Sequence, residues 1–264
     1  MKSDARLIRV ELLKLRTTRL TFWLFATAAG LSVLFSIIEA SRAGTKAVAP
    51  LSTAAGLNSV ITGGVLALLF AAVLGVTVSS GEFRHETATT TYLATPKRGR
   101  VLVAKSVAAA CGGAVFGFAG WLIATGVGLG FVAADGYSAP ISDATLARYA
   151  AGHILAGALL AAIGAGIGSL IRSQLAGVIG VLVWAVVIES VIGNLFNSVQ
   201  PYLPYTAATT LAGSVLGGAA FGPAHGASSS ASPLPFAAAA ALLAAVAVVI
   251  GAIAARTTVI RDIS

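Results

Sequence analysis

Six apolar runs, each long enough to cross a bilayer, constrain this chain more than any other feature. They extend over Leu20–Ile38, Ser59–Ser80, Ser106–Ala133, Tyr149–Ile171, Leu175–Phe196 and Phe236–Ala255. A hydrocarbon core about 30 Å thick is crossed by about 20 helical residues. Within it every backbone polar group must be bonded internally, so each run is expected to be a helix. Only 10% of the 264 residues are charged, against roughly 25% in a soluble domain, which leaves too few polar groups to cover a water-facing surface. The fold class expected is an all-α polytopic membrane protein: one transmembrane domain over 20–264, preceded by a short amphipathic segment over 1–19.

That first segment carries Lys2, Arg6, Arg9 and Arg16 on one helical arc and Leu7, Ile8, Leu12 and Leu15 on another. Glu11 falls inside the apolar arc and spoils it. Such a helix is suited to lie on the membrane surface with its bases near lipid phosphate. A secretory leader fits poorly, because the following apolar run is too long and no small-residue cleavage site ends it. Phe22 and Trp23 open the first span as expected interfacial anchors.

The charges set the orientation. With the N-terminus inside, only Arg42, Lys46 and Arg148 of the 17 basic residues fall on the outer side. Positive charge is retained on the cytoplasmic side, so six spans with both termini cytoplasmic are predicted, in a cell (inner or plasma) membrane. The net charge of +8 therefore reports topology, and no nucleic-acid partner is expected.

The largest inner interruption is the stretch 81–105. It holds Arg84, Lys97, Arg98, Arg100 and Lys105 with Glu82 and Glu86. Gly81 is placed to end the second span. Thr95 and Pro96 read as N-cap and first residue of a helix that carries Arg98 and Lys105 on one face, where both can meet phosphate or snorkel. The middle is rich in threonine (Thr87, Thr89, Thr90, Thr91), a poor helix former, so a helix there needs a surface to lean on. A solvated connector and a docking helix both remain open from these residues alone.

Sites of chemistry are scarce. No Walker A or other glycine-rich phosphate loop occurs, and Gly44-Thr45-Lys46 lacks the upstream glycine. The chain itself is therefore expected to be no enzyme and to bind no cofactor. His85-Glu86 has no second histidine four residues away, and His153 and His225 lie on other segments, so no zinc spacing exists. The single cysteine, Cys111, excludes an intrachain disulfide and is expected to be a small core residue. Glu189 is the one acid well inside a span. Either it serves an intramembrane polar site in a substrate path or subunit contact, or it reaches water from the outer end of a tilted helix. The pairs Gly113/Gly117 and Gly164/Gly168 point to close helix packing without defining a dimer seam.

Taken together, several stretches resemble the ABC-2 type permeases, the membrane subunits of ABC exporters. They are Glu82-Phe83-Arg84 followed by Thr87, then Pro96-x-Arg98 and Ala104-Lys105. Ile171-Arg172-Ser173-Gln174 leading to Trp184 and Glu189, and Tyr202-Leu203-Pro204-Tyr205, belong with them. The resemblance implies a half-transporter that pairs with a second permease copy or paralogue. Separate ATPase subunits, which hold the ATP and Mg, would drive it. The segment 1–19 would be an elbow helix, and 201–222 an extracellular re-entrant segment. A coupling helix over 82–93 would meet the ATPase through Glu82, Phe83, Arg84, His85, Glu86, Thr87, Tyr92 and Leu93. The Gly-, Pro- and Ser-rich segment 222–235 departs from the family pattern.

Two other readings stand beside this one: a membrane anchor or assembly factor without a transport path, and an ion-coupled secondary transporter. The latter calls for several intramembrane ionisable residues, where this sequence offers Glu189. The uncharged spans suit an amphipathic or hydrophobic solute better than a strongly charged one.

Overall fold

In the computed structural model, residues 2–45, 48–84, 98–171, 173–213 and 232–260 are described. They form helices α1 (Lys2–Thr17), α2 (Arg19–Arg42), α3 (Ala54–Ile61), α4 (Leu66–Arg84), α5 (Arg98–Ala134), α6 (Asp143–Leu170), α7 (Gln174–Leu195), α8 (Pro204–Leu211) and α9 (Phe236–Ile260). No strand occurs among them. Six helical stretches are long and apolar enough to cross a membrane, as the hydropathy pattern predicts: α2, α3 with α4, α5, α6, α7 and α9.

Local chemistry sets the boundaries. The break between α1 and α2 falls at Thr18, which is extended and sends its hydroxyl back to the Lys14 carbonyl at 2.6 Å. Competition of this kind for backbone acceptors makes threonine a helix terminator. Thr53, Ser142 and Ser173 each accept a backbone N–H two or three residues into α3, α6 and α7, the expected N-cap arrangement. The second span begins earlier than its apolar run because Thr53 caps α3, and a 3₁₀ turn over Thr62–Val65 joins α3 to α4. Gly81 does not end this span. Glycine permits a left-handed exit without compelling one, and α4 runs through Gly81 to Arg84.

Helix α4 is the centre of the bundle. Leu66, Leu68, Leu74 and Val76 are fully enclosed, with α6, α5, α7 and α2 packed around them. Lipid-facing apolar surface gains nothing by leaving lipid, so close backbone approach must supply much of the association energy. The glycine pairs supply that approach. Gly113 and Gly117 on α5 sit against the Gly157 and His153 carbonyls of α6. Gly164 and Gly168 on α6 sit against the Ala72 and Val76 carbonyls of α4. A β-carbon at any of the four would meet backbone, so both pairs are seams inside this chain.

Helix α2 lies at the edge and buries a narrow stripe of small residues, Ala28, Ser32, Ser36 and Ala40. Its Phe22 and Trp23 project outward, stacked edge-to-face 5.6 Å apart. Cys111 corrects its sequence expectation: it is exposed on the outside of α5. The buried stripe at this level is Ala108, Ala109, Gly113 and Phe116, and at 100° per residue Cys111 falls on the opposite side.

Candidate functional site

Helix α7 changes pitch where its polar residues begin. Trp184–Ile188 is a π-helical turn, and the N–H of Glu189 reaches the Trp184 carbonyl five residues back. In a regular α-helix, residues five apart point about 140° away from each other. The wider π turn brings them onto one face. The Trp184 indole Nε1 consequently donates to Glu189 Oε1 at 3.0 Å.

The same carboxylate reaches across to α8. The backbone N–H of Tyr205 donates to Oε1 at 2.8 Å and that of Thr206 to Oε2 at 2.9 Å. The Thr206 hydroxyl donates to Oε2 at 3.2 Å. Helix α8 opens with Leu203 at its N-cap, which has no capping atom, and Pro204 at its first position. Its free N–H groups therefore need an acceptor from elsewhere in the fold. Glu189 is that acceptor, and its negative charge also complements the positive end of the helix dipole. Each oxygen holds two donors, which uses the carboxylate's full accepting capacity. Glu189 is 3% exposed, so it does not reach water from the end of its helix. Its polar contacts are all within the chain.

Around this cluster the same end of the bundle is pinned further. The Tyr205 hydroxyl donates to the Val65 carbonyl at 3.4 Å, in the 3₁₀ turn that joins α3 to α4. Asn58 Nδ2 donates to the Gly213 carbonyl at 3.1 Å. Gly213 has φ of +88° against the Tyr149 ring, a left-handed position that closes α8 where a side chain has neither the conformation nor the space.

A second polar arrangement lies at the opposite end. Helix α1 packs on α5, with Ile8 and Leu15 against it, and the buried Glu11 stands in the half-buried stripe of Leu7, Ile8 and Leu15. Glu11 Oε2 accepts from Lys105 Nζ at 3.1 Å, and Oε1 accepts from Lys14 Nζ at 2.7 Å. The side chains of Glu11 and Lys105 are 8% and 6% exposed. Lys105 therefore does not serve as a membrane-surface base. It is the buried partner that explains why an acid interrupts the apolar arc of α1. Arg6, Arg9 and Arg16 are exposed on the other side of α1.

The coupling residues expected from sequence are split by the described region. Glu82, Phe83 and Arg84 form the last turn of α4, and Arg98 opens α5. His85, Glu86, Thr87, Tyr92 and Leu93, with the Thr95-Pro96 cap, lie outside the described residues, as does the part of the segment 201–222 beyond Gly213. His153 is an enclosed core residue of α6, its Nδ1 2.9 Å from the Tyr149 carbonyl. Among the described residues no three His, Cys, Asp or Glu side chains gather to hold a metal.

Sequence reasoning singled out Glu189 and Trp184 separately and missed their union with Tyr205 and Thr206. The available signal was Leu203-Pro204, a helix start with no cap of its own, facing a lone buried acid in the preceding span. Compared with known proteins, the chain matches no family model and no curated sequence.

Proposed function

We propose that this chain is the membrane-spanning permease half of an ATP-driven exporter of the ABC-2 type, working as a pair and powered by separate ATPase subunits. The observation that carries the reading is at one end of the bundle. Helix α4 continues past its apolar stretch through Glu82-Phe83-Arg84, and α5 begins at Arg98 and runs for 37 residues. That is about 55 Å of helix where about 30 Å crosses a hydrocarbon core. The residues between these two helix ends, 85–97, are polar in sequence, and the start of α5 is the end where α1 is bound through Glu11 and Lys105. With both termini on the cytoplasmic side, this end faces the ATPase.

In this mechanism, closure of the ATPase subunits on ATP pushes on the 82–93 region. Glu82, Glu86 and Arg84 make polar contacts with the ATPase, and Phe83 or Tyr92 supplies an apolar anchor. The push reaches α4 directly and reaches α5 at Arg98. The Glu11–Lys105 pair carries it to α1, so three helices move together relative to the rest. The cargo is an amphipathic or hydrophobic solute. An ion-coupled secondary transporter is less well supported, because Glu189 gives all four of its acceptor positions to internal donors and keeps none for a coupling ion.

The test uses vesicles containing the purified complex. Glu82→Ala with Arg84→Ala is expected to lower transport-coupled ATP hydrolysis by about tenfold or more, equivalent to losing roughly 1.4 kcal/mol of coupling, with the unfolding temperature of the permease unchanged. Unchanged hydrolysis in the double variant would refute the coupling assignment.

A further inference from the structure

We infer that the chain holds an acyl chain of a bilayer phospholipid in a slot between α7 and α9, a binding site separate from any coupling to an ATPase. The slot is a cavity of about 460 Å³, within the range of about 300–1,000 Å³ usual for small-molecule sites. Three of its features point to one occupant.

The first is shape. Along α6 its wall is Leu160, Ile163, Gly164 and Ile167, continuing to Ile171 beyond the helix end. These recur at helical spacing on a single face, so the slot follows the helix axis for about 15 Å. A long narrow space parallel to the spans fits a hydrocarbon chain better than a compact solute.

The second is chemistry. The polar side chains that line it are Glu189, Trp184 and Tyr205, and their hydrogen-bonding groups are already engaged. The carboxylate has four donors, the indole N–H is one of them, and the Tyr205 hydroxyl donates to Val65. No hydrogen-bond donor there is left for the ester or phosphate oxygens of a ligand, whose burial without a partner would cost several kcal/mol. The part of a ligand that enters must therefore be apolar, and any headgroup must stay outside.

The third is the mouth. Helix α7 packs on α4, and α9 packs on α6 and α8, while α7 and α9 flank the slot without packing along each other. Gly180 and Trp184 are exposed on one side, and Val246 and Ile250 are partly exposed on the other. Gly180 lies six residues into its span and Ile250 seven residues from the end of its own. At 1.5 Å per residue, both sides of the mouth sit about 10 Å inside the same end of the bundle. The opening thus faces acyl chains of one leaflet.

The experiment uses the full-length protein in phosphatidylcholine vesicles doped with a phospholipid that carries a diazirine near the end of one acyl chain. After irradiation, modified residues are mapped by mass spectrometry. Outward residues such as Val248 and Val249 should be modified by bulk lipid in every case. The inference predicts modification also at Ile163 and Leu160, which are 6% and 4% exposed and which bulk lipid does not touch. Ala185→Phe, which fills the slot from α7, should lower the Ile163 signal by about tenfold, corresponding to roughly 1.4 kcal/mol of lost occupancy, and leave Val248 unaffected. If that variant does not accumulate, Val246→Phe narrows the mouth from α9 and should do the same. Modification confined to outward residues, or an Ile163 signal that a folded filling variant leaves intact, would overturn it. Because no ATPase takes part, failure here leaves the exporter reading standing, and the converse holds.

Discussion

Two buried carboxylates, one at each end of the bundle, solve the same problem with different partners. Glu189 is surrounded by neutral donors: two backbone N–H groups, a hydroxyl and an indole. Glu11 is met by cations, Lys105 buried and Lys14 about half exposed. The neutral arrangement fixes geometry, because the N–H groups of a helix start point in one direction and a π turn is needed to deliver the indole. The ionic arrangement fixes association, because two helices far apart in sequence are held by a pair that is costly to separate. The Glu189 end thus holds a short helix in place, and the Glu11 end ties α1 to α5.

Substitutions should separate the two designs. The largest effect is expected from Glu189→Ala, which leaves the buried Tyr205 and Thr206 N–H groups, and the part-buried Trp184 indole, without an acceptor. At about 1–3 kcal/mol per buried donor, the loss is about 3 kcal/mol or more, read as a lowered unfolding temperature in detergent. Glu189→Gln keeps one accepting oxygen and should lose roughly half as much.

An intermediate effect is expected at the other end. Lys105→Met leaves Glu11 buried, but Lys14 still reaches it, so the cost is about 2 kcal/mol instead of the 3–5 kcal/mol typical of a wholly enclosed pair. Adding Glu11→Leu should restore most of that stability, since an apolar pair of similar size replaces a buried ionic one at little cost. A double-mutant cycle measures this, and no such rescue is available to Glu189, two of whose donors are backbone N–H groups. Trp184→Phe should cost only about 1 kcal/mol, because Oε1 keeps its bond from Tyr205. Smallest of all, Cys111→Ala on the outside of α5 should shift stability by less than about 0.5 kcal/mol.

The two ends also differ in how much of them could be read from sequence. The spans were legible because lipid imposes a length and a composition, and the caps at Thr53, Ser142 and Ser173 are local chemistry. The glycine pairs announced tight packing, but which helix each would meet depends on bundle topology, which spacing along one helix does not encode. Glu11 looked like a flaw in an amphipathic arc, and Lys105 like a surface base. Each makes sense only through the other, 94 residues away. Trp184 and Glu189 fall on different faces of any regular helix, so their contact depends on a π turn that no residue in Trp184–Ile188 signals. Gly81 shows the reverse error, a residue able to end a helix in a place where the helix continues.

The central claim is that power enters at the end where α4 and α5 emerge, through Glu82, Phe83 and Arg84. The most direct measurement is affinity purification of the tagged full-length chain from its native membranes, followed by assay of ATP hydrolysis in the eluate. The account predicts that an ATPase co-elutes with the wild-type chain and is lost from Glu82→Ala with Arg84→Ala, while Lys105→Met paired with Glu11→Leu retains it. An eluate without ATPase activity, or equal activity with the Glu82 and Arg84 variant, would contradict it.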